Sequence, residues 1–441
     1  MTMKRKAKPI TAEAAAALVK SGDWLDLGGA LIQPVLFDRA LAIRKSELRD
    51  VKIRTCLTMS PRALLEADPI GEHFLWFNWH FSAYDRAVNL DGRVNYIPMN
   101  FGEAHDYYRR FIDPIDVVCV RTTPMDEHGF FNIGMATTYG RALVEQAKVL
   151  IVETCAALPY VYGEQQVIHA SEVDYVIDGG AGSLPELPNP PLTDIDRKVA
   201  ELIIAEIEDG ACLQIGVGGM PNAICAVLAQ SGLRDLGIHP EMFVDSMVDL
   251  IESGVVTGAR KRLNPGITAF TFAAGSRRQY EFLDRNPCAQ SYPVDYTNLP
   301  QNIMRNDRVV AINNTTQIDL QGQAASESDG YRHLTGTGGQ LQFVRGAYAS
   351  KGGKAILCLA STFEKDGDRR SRIVPALTEG NIVTTPRTDV MYVATEYGIV
   401  NLKGKSVAER TKALTSLAHP DYREWLEREA REHHFVPRTF W

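Results

Sequence analysis

The chain is short of the features that mark most specialised classes of protein. Its 441 residues hold no apolar run approaching the ~18 that a membrane-spanning helix needs. Basic residues do not cluster beyond Lys4-Arg5-Lys6, and a net charge of −7 lacks the electrostatic footprint of a nucleic-acid binder. Thr11 and Glu13 break the stretch that follows this patch, so no secretory signal is expected. The seven cysteines include no CxxC pair, which argues against a cysteine zinc site. HExxH and GxSxG are missing, so neither a zincin nor a hydrolase nucleophile elbow is expected. Gly398 to Ser406 resembles a phosphate-binding P-loop, but five residues separate its glycines where four are required.

What is present is ordinary globular material: 45% hydrophobic and 23% charged residues. The length exceeds what one core organises. Several cysteines sit inside apolar runs, such as Cys119 in Val117 to Val120 and Cys358 in Ala355 to Leu359. They read as buried free thiols in a reducing compartment, so a cytoplasmic setting is expected. Short apolar strands are expected at Val51 to Cys56, Asp116 to Val120, Lys148 to Val152, Val309 to Ile312 and Ala355 to Leu359. Phe74 to Phe81 is aromatic-rich without a clear period and reads as core or subunit interface. Ser406 to His433 reads as charged helix broken at His419-Pro420.

A pattern of turn, strand, glycine turn and helix occurs twice. Gly22 pairs with Gly210, Leu27 with Ile215 and Gly28 with Gly216, each 188 residues apart. Asp126 to Asn132 also echoes Thr395 to Asn401, at an offset of 269. A duplicated α/β unit follows, with domains at 1–190 and 191–441 joined by the Pro- and Gly-dense stretch 179–191.

One segment of the second half carries the chemistry. Glu241 follows Pro240 and precedes an apolar, helix-like run to Glu252. A lone Glu is more often a solvated surface or cap residue. Here two glycine turns, Gly216-Val217-Gly218-Gly219-Met220-Pro221 and Gly336-Thr337-Gly338-Gly339-Gln340, offer to frame it with backbone N–H donors. The first begins like a dinucleotide fingerprint, yet Pro221 stands where the third glycine belongs. That leaves a helix N-terminus for an anion without supporting a nicotinamide cofactor.

Leu213 to Pro221, Gly237 to Met242 with Val248 to Gly254, Gly336 to Gln340 and Ala394 to Gly398 together resemble the acetyl-CoA hydrolase/transferase family, over nearly the whole chain. The resemblance implies two related coenzyme A-transferase-type domains, akin to the sugar-phosphate-isomerase fold, with the site in the cleft between them. It also implies transfer of coenzyme A between short-chain acyl-CoA and a carboxylate of the acetate, butyrate or 4-hydroxybutyrate type. In the family the Glu aligned with Glu241 attacks the thioester, passing through an acyl-glutamyl anhydride to a glutamyl-CoA thioester. Gly216, Val217, Gly218, Gly219 and Met220 fall on the coenzyme loop; Gly336, Gly338 and Gly339 would supply further coenzyme and oxyanion contacts, and Lys354 is a candidate for the coenzyme's phosphates. Coenzyme A is then substrate and covalent intermediate, with no cofactor held permanently and no metal. The expected partners are acyl-CoA and small carboxylates, with neither nucleic acid nor membrane, and the expected assembly is a homo-oligomer, dimer or tetramer. An acyl-CoA hydrolase on the same scaffold and a silent ligand-sensing module are the rival readings. The chain departs from the family pattern at Val244-Asp-Ser-Met247 and at Gln342, which bears on the acyl group it accepts. With an ordinary pKa of about 4.3, Glu241 is expected to be ionised at neutral pH without a general base.

Overall fold

The computed structural model describes residues 7–187, 191–216, 218–365, 367–437 and 439. The chain divides into two compact units: Met1–Pro188 with Ala269–Thr297, and Asn189–Thr268 with Asn298–Trp441.

The first unit is built on an eight-stranded parallel sheet. Its strands are Lys8–Pro9 (β1), Trp24–Gly29 (β2), Val51–Cys56 (β3), Phe74–Asn78 (β4), Val94–Tyr96 (β5), Ile115–Thr122 (β6), Ala147–Thr154 (β7) and Tyr175–Ile177 (β8). They run side by side in the order β1-β8-β7-β6-β2-β3-β4-β5. β6 and β7 are the continuous apolar strands expected of a sheet covered on both faces, and every residue of β6 except Asp116 is buried. The aromatic stretch turns out to have a period of two: Phe74, Trp76 and Asn78 are buried, while Leu75 and Phe77 are half-buried. Pro34 stands just ahead of Val35, the N-cap of the helix Leu36–Ile43 (α1).

The second unit begins with the amphipathic helix Asp194–Ile204 (α2), whose Thr193 and Asp196 form a capping box. Its sheet comprises Cys212–Ile215 (β9), Gly237–Ile238 (β10), Val309–Asn314 (β11), Lys354–Cys358 (β12), Tyr392–Thr395 (β13) and Gly398–Asn401 (β14). The order is β10-β9-β11-β12-β13-β14, parallel except for the final pair. Helices Gly219–Leu228 (α3), Asp245–Glu252 (α4) and Gln340–Ala349 (α5) lie between β9 and β10, β10 and β11, and β11 and β12, respectively. The charged tail is two helices, Val407–Leu417 and Pro420–Glu432, broken where His419-Pro420 predicts.

The duplication is visible in the topology. β3-β2-β6-β7-β8 of the first sheet and β10-β9-β11-β12-β13 of the second share order and direction. The 188-residue echo lies at equivalent places, with Gly22 and Gly210 both in left-handed turns (φ +86° and +73°). The second echo does not. Asp126 to Asn132 follows β6, the neighbour of β2, whereas Thr395 to Asn401 follows β13, three strands out from β9. What the two segments share is a turn with a positive-φ glycine, Gly129 and Gly398. All seven cysteines are free thiols; six are buried, and Cys288, against expectation, is exposed.

Close packing of α5 sets a stability prediction. A Cβ on Gly346 would lie 2.6 Å from both Cβ and Cγ2 of Ile303. Both groups belong to a buried core that cannot yield cheaply. Gly346→Ala is therefore expected to destabilise the protein by about 1–3 kcal/mol. This outweighs the roughly 1 kcal/mol that alanine gains over glycine within a helix. Denaturant midpoints of the two proteins measure the difference.

Candidate active site

Three segments of the second unit meet at the C-terminal edge of its sheet. β9 ends at Ile215 and opens into the Gly216 turn; β10, its parallel neighbour, ends at Ile238 and leads through His239 and Pro240 to Glu241. His239 N–H donates to Leu213 O at 2.9 Å, so the two strands remain in register up to the proline, which has no N–H to extend the ladder. The Lys261 ammonium, buried among these strands, donates to Ile238 O at 3.0 Å and to Ile267 O. Burial lowers the pKa of that lysine. Ser246, in the first turn of α4, donates to Asn222 Oδ1 in the first turn of α3 at 3.3 Å, tying the helix after Glu241 to the helix after the Gly216 turn.

The third segment is the Gly338-Gly339 turn at the start of α5. Gly338 takes a left-handed conformation, φ +56°, that side chains rarely adopt. This bend aims the Gly339 N–H at the Glu241 carboxylate, and Asn298 Nδ2 donates to Glu241 Oε2 at 2.5 Å. At Gly339 it is space and not backbone conformation that favours glycine: a Cβ there would collide with Glu241 Oε2 and lie 2.5 Å from Asn298 Nδ2, so a side chain would push both groups aside.

Glu241 is half-buried as a residue, but its carboxyl end is withdrawn from water. That desolvation pushes its pKa up to about 7, against the opposing pull of the Asn298 and Gly339 hydrogen bonds. The expectation of full ionisation is thus corrected, because it took no account of burial. The kcat/KM for acyl-CoA, if Glu241 is the attacking group, should fall tenfold per pH unit below about 7 and level off above it. Since the Asn298 amide holds the pKa down, Asn298→Ala should move the midpoint to higher pH. Initial rates at limiting acyl-CoA across the pH range test both.

The Gly216 turn enters α3 through Gly218, at φ +123° and ψ −173°, a region only glycine occupies readily. Among the described residues no side chain caps α3. The equivalent helix of the first unit is treated differently: Glu153, at the end of β7, accepts from the N–H groups of Val35, Leu36 and Phe37 at 2.8–3.0 Å. β12, the counterpart of β7, ends at Cys358, is followed by Leu359-Ala360 and brings no carboxylate to α3. One copy of the fold therefore satisfies its helix N-terminus internally, and the other leaves it open to an external anion. Val217 lies outside the described residues.

Gly216, Gly218, Gly219, Met220, Gly338 and Gly339 thus gather at the edge where Glu241 stands, and Gly336 leads into the second turn. The structure does not bring Lys354 there. It opens β12 at the other end of the sheet, level with Val310, roughly 10 Å below the Gly216 turn at about 3.3 Å per residue. Its ammonium is engaged by Glu206, at 2.8 Å from Oε2 and 2.9 Å from the carbonyl oxygen. Asn298 escaped the sequence reading because Val294 to Pro300 has no motif to mark it. The Gln214 and Asn313 amides, which exchange hydrogen bonds at 3.2 and 2.9 Å beneath the Gly216 turn, escaped for the same reason. In the Ala394 to Gly398 motif, Glu396 anchors the segment after β12 by accepting from Ser361 N–H and Oγ at 2.9 and 2.5 Å. Among the described residues there is no cluster of three or more side chains able to hold a metal ion, and no helix is long and apolar enough to cross a membrane.

The acetyl-CoA hydrolase/transferase N-terminal domain matches residues 3–181, and the corresponding C-terminal domain matches residues 275–430. The chain belongs to the acetyl-CoA hydrolase/transferase family. This family member is 42% identical over 425 residues to the butyryl-CoA:acetate CoA-transferase of Anaerostipes caccae, covering 96% of this chain and 95% of that one. It is 36% identical over 427 residues to the 4-hydroxybutyrate coenzyme A transferase of Clostridium kluyveri, covering 97% and 98%. Its fold matches RipA of Yersinia pestis with a TM-score of 0.90 at 38% identity, over 97% of this chain and 98% of that one. Family members named acetyl-CoA hydrolases are more distant.

Proposed function

We propose that the protein is a coenzyme A-transferase that exchanges coenzyme A between a short-chain acyl-CoA and a carboxylate, with Glu241 as the nucleophile. The observation that carries this reading is the Glu241 carboxylate held between the Gly339 N–H and the Asn298 amide. In the first step a Glu241 oxygen attacks the thioester carbonyl carbon, forming the acyl-glutamyl anhydride and expelling the coenzyme thiolate. The thiolate then attacks the glutamyl carbonyl, releasing the acyl group as a free carboxylate and leaving a glutamyl-CoA thioester. A second carboxylate reverses the two steps and departs as acyl-CoA.

A carboxylate is a weak nucleophile and the anhydride a high-energy product. Donors fixed in advance around the Glu241 carbonyl offset that, each worth about 3 kcal/mol in comparable sites. The coenzyme's pyrophosphate suits the uncapped N-terminus of α3, where binding far from the reacting carbon lowers the barrier. Two thioesters of similar energy are exchanged, so no ATP is called for. The six buried thiols support a cytoplasmic setting.

Loss of acyl-CoA, followed with and without added acetate or butyrate, tests the proposal. Turnover should depend on the added carboxylate and yield one new acyl-CoA for each one consumed. Steady release of free coenzyme A without any acceptor would assign the chain to hydrolysis instead.

A further inference from the structure

The Gly339 N–H that meets the Glu241 carboxyl sits in a turn of two consecutive glycines, the residues with the most conformational freedom to lose on ordering. Such a turn keeps one shape only if its flanks are held from outside. Ser326 and Glu327, which stand together between the strands Ala324–Ala325 and Ser328–Asp329, reach both flanks.

On the N-terminal flank the Glu327 carboxylate accepts from the Thr337 hydroxyl. The Glu327 carbonyl oxygen accepts from the N–H groups of Leu334 and Thr335 at 2.8 and 3.4 Å, which fixes the approach to the turn. On the C-terminal flank the Gln340 amide donates to Ser326 Oγ at 2.9 Å and to Thr385 Oγ1 at 3.0 Å. Gly338 and Gly339 lie between these two anchors. Ser326 Oγ in turn donates to Thr315 Oγ1 at 3.1 Å, and the Thr315 N–H, just past β11, donates to Cys358 O at the end of β12 at 3.1 Å. Thr384 Oγ1 accepts from the Ser326 N–H at 3.0 Å and donates to Glu327 Oε2 at 3.1 Å. The anchors are thereby tied to the sheet edge itself.

Stability does not account for Glu327. It is only 4% exposed, burial pushes its pKa up, and no cation among the described residues pairs with it. A carboxyl buried on hydroxyl donors alone is costly, and an uncharged side chain of the same shape is ordinarily tolerated as well or better. What the carboxylate supplies is direction: the Thr337 and Thr384 hydroxyls, from separate loops, must both face it.

We propose that Ser326 and Glu327 are positioning residues, a clamp that holds Gln340 and Thr337 so that the Gly339 N–H stays on the Glu241 carboxyl. Its bearing on rate rests on the reading of Glu241 as the nucleophile, whereas its bearing on the Glu241 proton does not. The test compares Thr337→Val and Glu327→Met with the wild type and with Thr337→Ser, which keeps the hydroxyl. The first measurement needs no turnover: the stability difference between each protein and its Glu241→Gln counterpart, followed by urea unfolding against pH, levels off at the folded pKa of Glu241. Once the Gly339 hydrogen bond is lost, that point, about 7 in the wild type, should move up by about half to one pH unit in Thr337→Val and Glu327→Met. Thr337→Val leaves every charge in place, so a rise there reports the turn alone. The second measurement is kcat for coenzyme A transfer, which should fall about 10–100-fold while KM for acyl-CoA changes less than about threefold. Thr337→Ser should match the wild type in both. Lost stability with an unmoved point in Thr337→Val, the mark of a merely structural role, overturns the clamp whatever the rate. A moved point with an unchanged rate upholds the clamp and removes Glu241 from the chemistry. Should Glu327→Met fail to fold, Thr337→Val decides alone.

Discussion

Glu241→Gln should lower the rate of coenzyme A transfer by roughly 10⁴-fold or more, the scale of loss seen when a covalent nucleophile is removed. The substitution keeps the shape of the side chain and an oxygen to accept from Asn298 and Gly339, so the fold is not at stake. Stability should rise. The pKa of Glu241 in the folded protein, about 7, stands well above the ordinary glutamate range. The folded state therefore holds a proton that the unfolded chain has released, and stability is lost as pH climbs from about 4.5 to about 7. Above that range the protein bears the full cost of a desolvated anion, on the order of 1–3 kcal/mol after allowance for partial exposure. Glu241→Gln should thus be more stable than the wild type at pH 8, and the two should converge near pH 4. In parallel, a proteolytic peptide spanning Glu241 should gain the mass of coenzyme A less one water after incubation with acyl-CoA, and the Gln variant should not. An unmodified peptide from turning-over wild-type enzyme would refute the covalent route.

The second large effect is expected from Gly339→Ala. Gly339 has φ −98° and ψ 1°, a conformation open to alanine, so the backbone is under no new strain. The cost falls on the space in front of it, where the added methyl displaces the Glu241 carboxylate and the Asn298 amide together. A shift of about 1 Å in a reacting group costs on the order of 10²-fold, and loss of a carbonyl donor a similar factor. A fall in kcat of roughly 10²–10³-fold with a near-native melting temperature is the expected outcome. Activity within threefold of wild type would remove Gly339 from the site. Gly338→Ala is a different experiment, because there the left-handed backbone itself resists a side chain.

Much of the scaffold was legible along the chain because it is local. β3 coincides with the strand expected at Val51 to Cys56, and the tail helices break at His419-Pro420 as expected. Thr193 and Ser406 start their helices by bonding three residues ahead. The 188-residue echo was readable for the same reason, since turn and strand residues answer to neighbours in sequence. The 269-residue echo misled because a shared turn says nothing about which strand it follows. Lys354 misled similarly: its partner, Glu206, is 148 residues away.

The sequence by itself determined two α/β units, a glycine turn after β9, another before α5, and a carboxylate between a proline and a helix. Tertiary structure alone decided that these meet, that Asn298, 57 residues from Glu241, supplies the amide, and that the carboxyl sits near neutrality. Hydrogen-bond partners and desolvation come from segments that only folding makes adjacent. A side chain's type can be read from the sequence, but its proton affinity and its available partners depend on what the folded chain packs around it.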